Sequence, residues 1–288
     1  MEVISANPEF RYIAQPFAAY AGNGKSGHTV FNIDYGLYLD PSSRELEHIY
    51  LFISDLLTGS KVLRAPWKVW ERGFWQAKTR TVLKILQAKP LMTWMESSFD
   101  LQVLYLLRHP IAQAASVLKA GWPAMNRAFL EHPTFPKRHL TPSQCRHCEK
   151  VAANGSQLEQ HVLSWCLDNL LPLRELATGK DSWLVLTYED CVAHPEQVID
   201  LLSQTLKVDN SRFMQRQFAK ASGTARITNR RNARVFREAQ HTKWTRQFSV
   251  GEITAAFDIL SVLDIDAYNA SSPMATDAYR LSSQVKAG

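Results

Sequence analysis

Residues 101–122 read LQVLYLLRHPIAQAASVLKAGW, and the fold class is argued from the change of character inside this stretch. Leu101, Val103, Leu104, Tyr105, Leu106 and Leu107 form a short apolar run with β-branched and aromatic content, as expected of a strand buried on both faces of a parallel sheet. Arg108 stands at its carboxyl end. Pro110 suits a first helical turn, where its missing N–H costs nothing, and Ala112, Ala114, Ala115, Val117 and Leu118 continue a helical pattern. Open α/β sheets bind ligands at the carboxyl ends of their strands, beside helix N-termini that favour anions. Arg108 is a planar, permanently charged donor at that place, and Ser116 would lie about two turns into the helix. One reading makes both side chains ligands of a single phosphate. The plainer one has Arg108 capping a carbonyl or pairing with a carboxylate while Ser116 packs, and these residues alone leave both open.

The rest of the chain extends the alternation of strand and helix. Residues 45–57 predict a helix with Leu46, Ile49, Tyr50, Ile53, Leu56 and Leu57 on one face; 81–86 a strand; 91–99 a short helix; 158–176 a long amphipathic helix kinked at Pro172. Residues 183–187 predict a second buried strand, followed by a helix over 196–206. Such alternation implies right-handed crossovers and a parallel sheet flanked by helices, within a single domain over residues 1–288. The stretch 131–156, with three prolines and no periodicity, reads as an irregular insertion suited to recognition. Trp94, Trp122, Trp165 and Trp244 read as core or wall residues.

Composition bounds the function class. The 288 residues are 45% hydrophobic, enough for a sizeable core. A formal charge of +6 favours anionic ligands. Much of it lies in ARITNRRNARVFR, residues 225–237, where Arg230, Arg234 and Arg237 also fall at the spacing of a solvated helix face. No aromatic interleaving or known module points to nucleic acid. No signal peptide or membrane-spanning run is read, and the chain is expected to be cytoplasmic, with membrane anchoring through a missing N-terminus as the alternative. Four cysteines are too few and scattered for a disulfide framework. Cys145 and Cys148 lack a second pair at zinc-ribbon spacing, so no metal is expected, and Cys166 and Cys191 read as small core residues.

Two later stretches join the first in a family resemblance. WLVLTYEDCVAHPEQVIDLL, residues 183–202, presents a strand, Tyr188-Glu189-Asp190, Pro195 and an apolar helix; KWTRQFSVGEITAAFDIL, residues 243–260, presents a Trp, Phe-Ser and a Glu-Ile helix. With Arg-His-Pro and Ser116 these resemble, in order, the sulfotransferase family that uses 3′-phosphoadenosine-5′-phosphosulfate. The resemblance implies a P-loop-NTPase-like three-layer fold with a central parallel sheet, and transfer of a sulfuryl group to a hydroxyl or amine of a small-molecule or glycan acceptor. It implies that Arg108 and Ser116 hold the donor's 3′-phosphate, with Arg230 and Arg231 as further contacts, although the family's Arg-Lys-Gly pattern is not reproduced. The family's opening strand and phosphosulfate loop are absent; Lys25-Ser26-Gly27 mimics the loop, but FAAYA before it and VFNIDYGLYLDP after it do not read as the strand and helix that the loop requires. MEVISANPEFRYIAQPF resembles the end of the helix after that loop, with its closing turn, so Met1 reads as an internal methionine or late start and activity is expected to be impaired. No catalytic base is identified: relatives place a His before a Pro where this chain has Gln87-Ala88-Lys89-Pro90, leaving Lys89 and Lys84 as weak candidates and Glu96 and His28 without support.

Two alternatives stand beside this reading. Gly24-Lys25-Ser26 copies the end of a Walker A loop, which would make the chain a P-loop nucleotide kinase or NTPase, but Ala19 occupies the position of the required first glycine. The flanking sequence also lacks the strand before and helix after. The second alternative is a non-catalytic, sulfotransferase-like binding protein. Oligomeric state is not legible.

Overall fold

Cap chemistry sets where four of the helices begin. Ser42 with Glu45, Thr141 with Gln144, Ser156 with Glu159 and Ser249 with Glu252 each form a reciprocal box, the Ser or Thr oxygen accepting the third amide while the Glu or Gln reaches back to the cap amide. The computed structural model describes residues 2–14, 16–17, 38–61, 80–86, 88–208, 211–218 and 242–281. Over these residues the chain is mixed α/β, mostly helical, with small parallel sheets. It divides into two compact units, Met1–Leu101 with Leu202–Lys220, and Gln102–Leu201 with Ala221–Gly288.

In the first unit α1 (Glu2–Ser5) leads into β1 (Phe10–Ala14), which pairs in parallel with β2 (Arg80–Lys84) from Phe10 opposite Arg80 to Ala14 opposite Lys84. Between them in sequence runs α2 (Ser43–Thr58), which buries Ile49, Phe52, Ile53 and Leu56 in a core with Ile13, Leu39, Leu91 and Met95. Each such fully buried side chain contributes roughly 1.5–3 kcal/mol. The helix stops at Gly59, whose φ of +84° lies in the left-handed region. The carbonyls of its last turn are met by Arg11 from β1, whose Nη2 lies within hydrogen-bond distance of Leu56 O, of Leu57 O at 2.9 Å and of Thr81 Oγ1 at 3.0 Å. One side chain thus ties both strands to the helix. A 3₁₀ turn over Lys89–Leu91 then opens α3 (Met92–Phe99).

In the second unit β3 (Leu104–Leu107) pairs in parallel with β4 (Leu184–Thr187), Leu104 opposite Leu184 and Leu107 opposite Thr187. Burial on both faces holds for β4 but not for β3, where Leu106 is 52% exposed. Among the described residues β3 has a neighbour on one edge only. Next come α4 (Pro110–Lys119), α5 (Asn126–Leu130), α6 (Phe135–His139) and α7 (Pro142–Asn154). The expected irregular stretch is therefore largely helical. Its prolines do not interrupt helices: Pro136 and Pro142 stand in first turns, where no N–H is missed, and the Thr141 box sets the start of α7.

The long helix α8 (Gln157–Ala177) runs through Pro172 and packs against α4, α5 and α7. Its buried Asn169 accepts the Tyr105 hydroxyl at 2.6 Å and donates to Trp165 O at 2.7 Å, which fastens β3 to the helix. After β4 come α9 (Tyr188–Ala193) and α10 (Pro195–Thr205); α11 (Arg212–Phe218) belongs to the first unit and packs on α1. The second unit resumes with a 3₁₀ turn over Lys243–Arg246 and α12 (Val250–Val262), which also packs on α8. No helix among the described residues is long and apolar enough to cross a membrane. Of the four tryptophans expected in core or wall positions, Trp165 and Trp244 are buried, while Trp122 is 66% exposed. Gly121, at φ +70°, turns the chain off the end of α4 and carries that ring away from the packed face.

Candidate anion-binding site

The expected succession of strand, arginine and helix is present. Arg108 follows β3 directly, His109 occupies the cap position of α4, and Pro110 opens the helix. The cap makes no side-chain hydrogen bond, so the first-turn amides get no acceptor from it. Arg108 is half-buried, with its guanidinium carbon 4.7 Å from the centroid of the Tyr188 ring. Its Nε is buried and has no hydrogen-bond partner among the described residues. Ser116 is exposed, on the helix stripe that includes His109 and Ala112. No hydrogen bond among the described residues joins it to Arg108.

His109 is the unexpected member of the site. Its ring is fully buried, stacked on Trp244 with centroids 4.2 Å apart and planes 22° from parallel, and edged by Tyr268 at 5.0 Å and Phe257 at 5.7 Å. Neither ring nitrogen, nor Trp244 Nε1, has a hydrogen-bond partner among the described residues. Burial, reinforced by the neighbouring Arg108 charge, pulls the His109 pKa down to about 3. The imidazole is therefore neutral near pH 7.

The acidic pair after β4 is engaged in bracing. Glu189 accepts the His109 N–H through Oε1 at 3.0 Å and the Tyr268 hydroxyl through Oε2 at 2.8 Å. Burial raises its pKa, opposed by these two bonds and by the Arg108 charge. Asp190 Oδ2 accepts the Thr187 hydroxyl at 2.9 Å and the Leu281 N–H at 3.0 Å, while Thr187 Oγ1 caps α9 by accepting the Asp190 N–H. That Glu189 holds the turn bearing Arg108, and that Trp244 lies on His109, had no local signal because the partners are remote in the chain.

Lys84 ends β2 and Lys89 opens the 3₁₀ turn before α3; both are half-buried and both belong to the first unit. Arg230, Arg231 and Gly24-Lys25-Ser26 lie outside the described residues. Cys148 and Cys166 are buried thiols, and burial pushes the Cys148 pKa up to about 12. Among the described residues no group of three His, Cys, Asp or Glu side chains is arranged to hold a metal ion. Comparison with family models, curated proteins and solved structures gave no match to this chain.

Proposed function

We propose that the turn between β3 and α4 grips a nucleotide oxyanion, and that the chain is a sulfotransferase-like protein that uses 3′-phosphoadenosine-5′-phosphosulfate. One observation carries this reading. Arg108 stands at the carboxyl end of a parallel strand, beside a helix N-terminus, and its buried Nε has no hydrogen-bond partner among the described residues. A half-buried guanidinium in that state has donors to spare for an anion. Its plate is Tyr188, from the Tyr-Glu-Asp stretch that shares the family resemblance.

In this reading Arg108 and Ser116 hold the 3′-phosphate and the fold is a P-loop-like three-layer one, to which the two parallel pairs are compatible contributions. The donor supplies the sulfuryl group. The chain's own part is to position the nucleotide and stabilise phosphate charge. Titration of the full chain with adenosine 3′,5′-bisphosphate, alongside adenosine 5′-monophosphate, tests this. The bisphosphate is expected to bind more tightly and to raise Tm. Arg108→Ala should weaken it roughly 10- to 100-fold, the loss of a charge-assisted hydrogen bond. Equal affinity of the two nucleotides in the unaltered chain would reject the assignment.

A further inference from the structure

The main chain of Arg108 runs directly into a junction of three segments. The next residue, His109, gives its N–H to Glu189 on α9, and Glu189 in turn accepts the Tyr268 hydroxyl from beyond α12. The His109 ring lies flat on Trp244, which belongs to the 3₁₀ turn Lys243–Arg246. The imidazole and indole nitrogens make no hydrogen bond among the described residues. Ring-on-ring packing is therefore how the Trp244 side chain meets the arginine's stand. On the reading that Arg108 takes an oxyanion, we propose that Trp244 is a positioning residue for Arg108, and that anion binding there is coupled to the packing of residues 242–247. Coupling of this kind is reciprocal: if the Trp244 face holds Arg108 in its gripping position, a bound anion holds the Trp244 turn in return.

A purely structural Trp244 would support the core without preferring one ligand over another. The full chain, Trp244→Phe and Trp244→Leu are compared for affinity toward adenosine 3′,5′-bisphosphate and adenosine 5′-monophosphate, below the unfolding range of all three. Trp244→Phe keeps an aromatic face on His109 and should retain the bisphosphate preference. Trp244→Leu should weaken the bisphosphate about tenfold, the size of one aromatic stack, and leave the monophosphate unchanged. In the unaltered chain, bisphosphate should also slow amide hydrogen exchange over residues 244–247, a measurement that needs no variant to fold. A Trp244→Leu chain that melts earlier but keeps both affinities overturns the proposal, as does unchanged exchange in the bound chain. If the unaltered chain does not prefer the bisphosphate, the Arg108 reading falls first and this coupling with it.

Discussion

Replacing His109 with Phe should make the protein more resistant to acid. The unfolded chain binds a proton at this histidine below about pH 6.5. The folded chain does not until about pH 3, because burial and the Arg108 charge disfavour the imidazolium. Between those values the unfolded state carries the extra proton, so stability falls as the pH falls, and outside that window the group has no pH effect. At about 1.36 kcal/mol per unit, the loss is about 2 kcal/mol by pH 5 and on the order of 5 kcal/mol near pH 3. Phenylalanine cannot titrate and keeps a flat ring against Trp244, Phe257 and Tyr268. It also removes two buried nitrogens that have no partner among the described residues. At pH 7.5 the variant should therefore match or exceed the unaltered chain. By pH 5 the gap should widen by about 2 kcal/mol, or roughly 4–8 °C in Tm. Thermal unfolding followed by circular dichroism at pH 7.5, 6 and 5 measures it. Parallel pH profiles for the two chains would show that His109 is not held neutral by its surroundings, and the reasoning would fail.

Other substitutions probe the bracing. Glu189→Ala strands the His109 N–H and the Tyr268 hydroxyl and should cost about 3 kcal/mol in urea unfolding, whereas Glu189→Gln, which keeps an acceptor and removes a buried charge, should cost less; equal losses would mean that the hydrogen bonds do not matter. Arg11→Ala should lower stability by about 2 kcal/mol by freeing the last carbonyls of α2. Gly59→Ala should be unfavourable through its left-handed φ and through a contact of 2.9 Å between the new Cβ and Arg11 Nη1. In the double variant that contact disappears, so its loss should be smaller than the sum of the two single losses; strict additivity would contradict the close approach.

The candidate site was legible only in part. Strand, arginine, proline and helix could be read from residues 101–122 because each signal is local: an apolar run, a charge at its end, a residue without an N–H, a helical period. The place of α2, α3, α8, β4 and α10 was readable for the same reason. The helices within 131–156 were missed because prolines in first turns look, in sequence, like prolines that break helices. The exposure of Leu106 and Trp122 was missed because composition records what a side chain prefers, not what the neighbouring segments cover.

Sequence alone determined the alternation of elements and the station of Arg108 at a strand's end, since periodicity and cap chemistry act over a few residues. Only the tertiary structure decided which distant groups meet there. Glu189 takes the His109 amide, Trp244 covers the His109 ring, Arg11 closes the end of α2, and Asn169 receives Tyr105. Each of these contacts joins segments far apart in the chain, and each exists because a buried donor, acceptor or ring must find its partner wherever packing brings one.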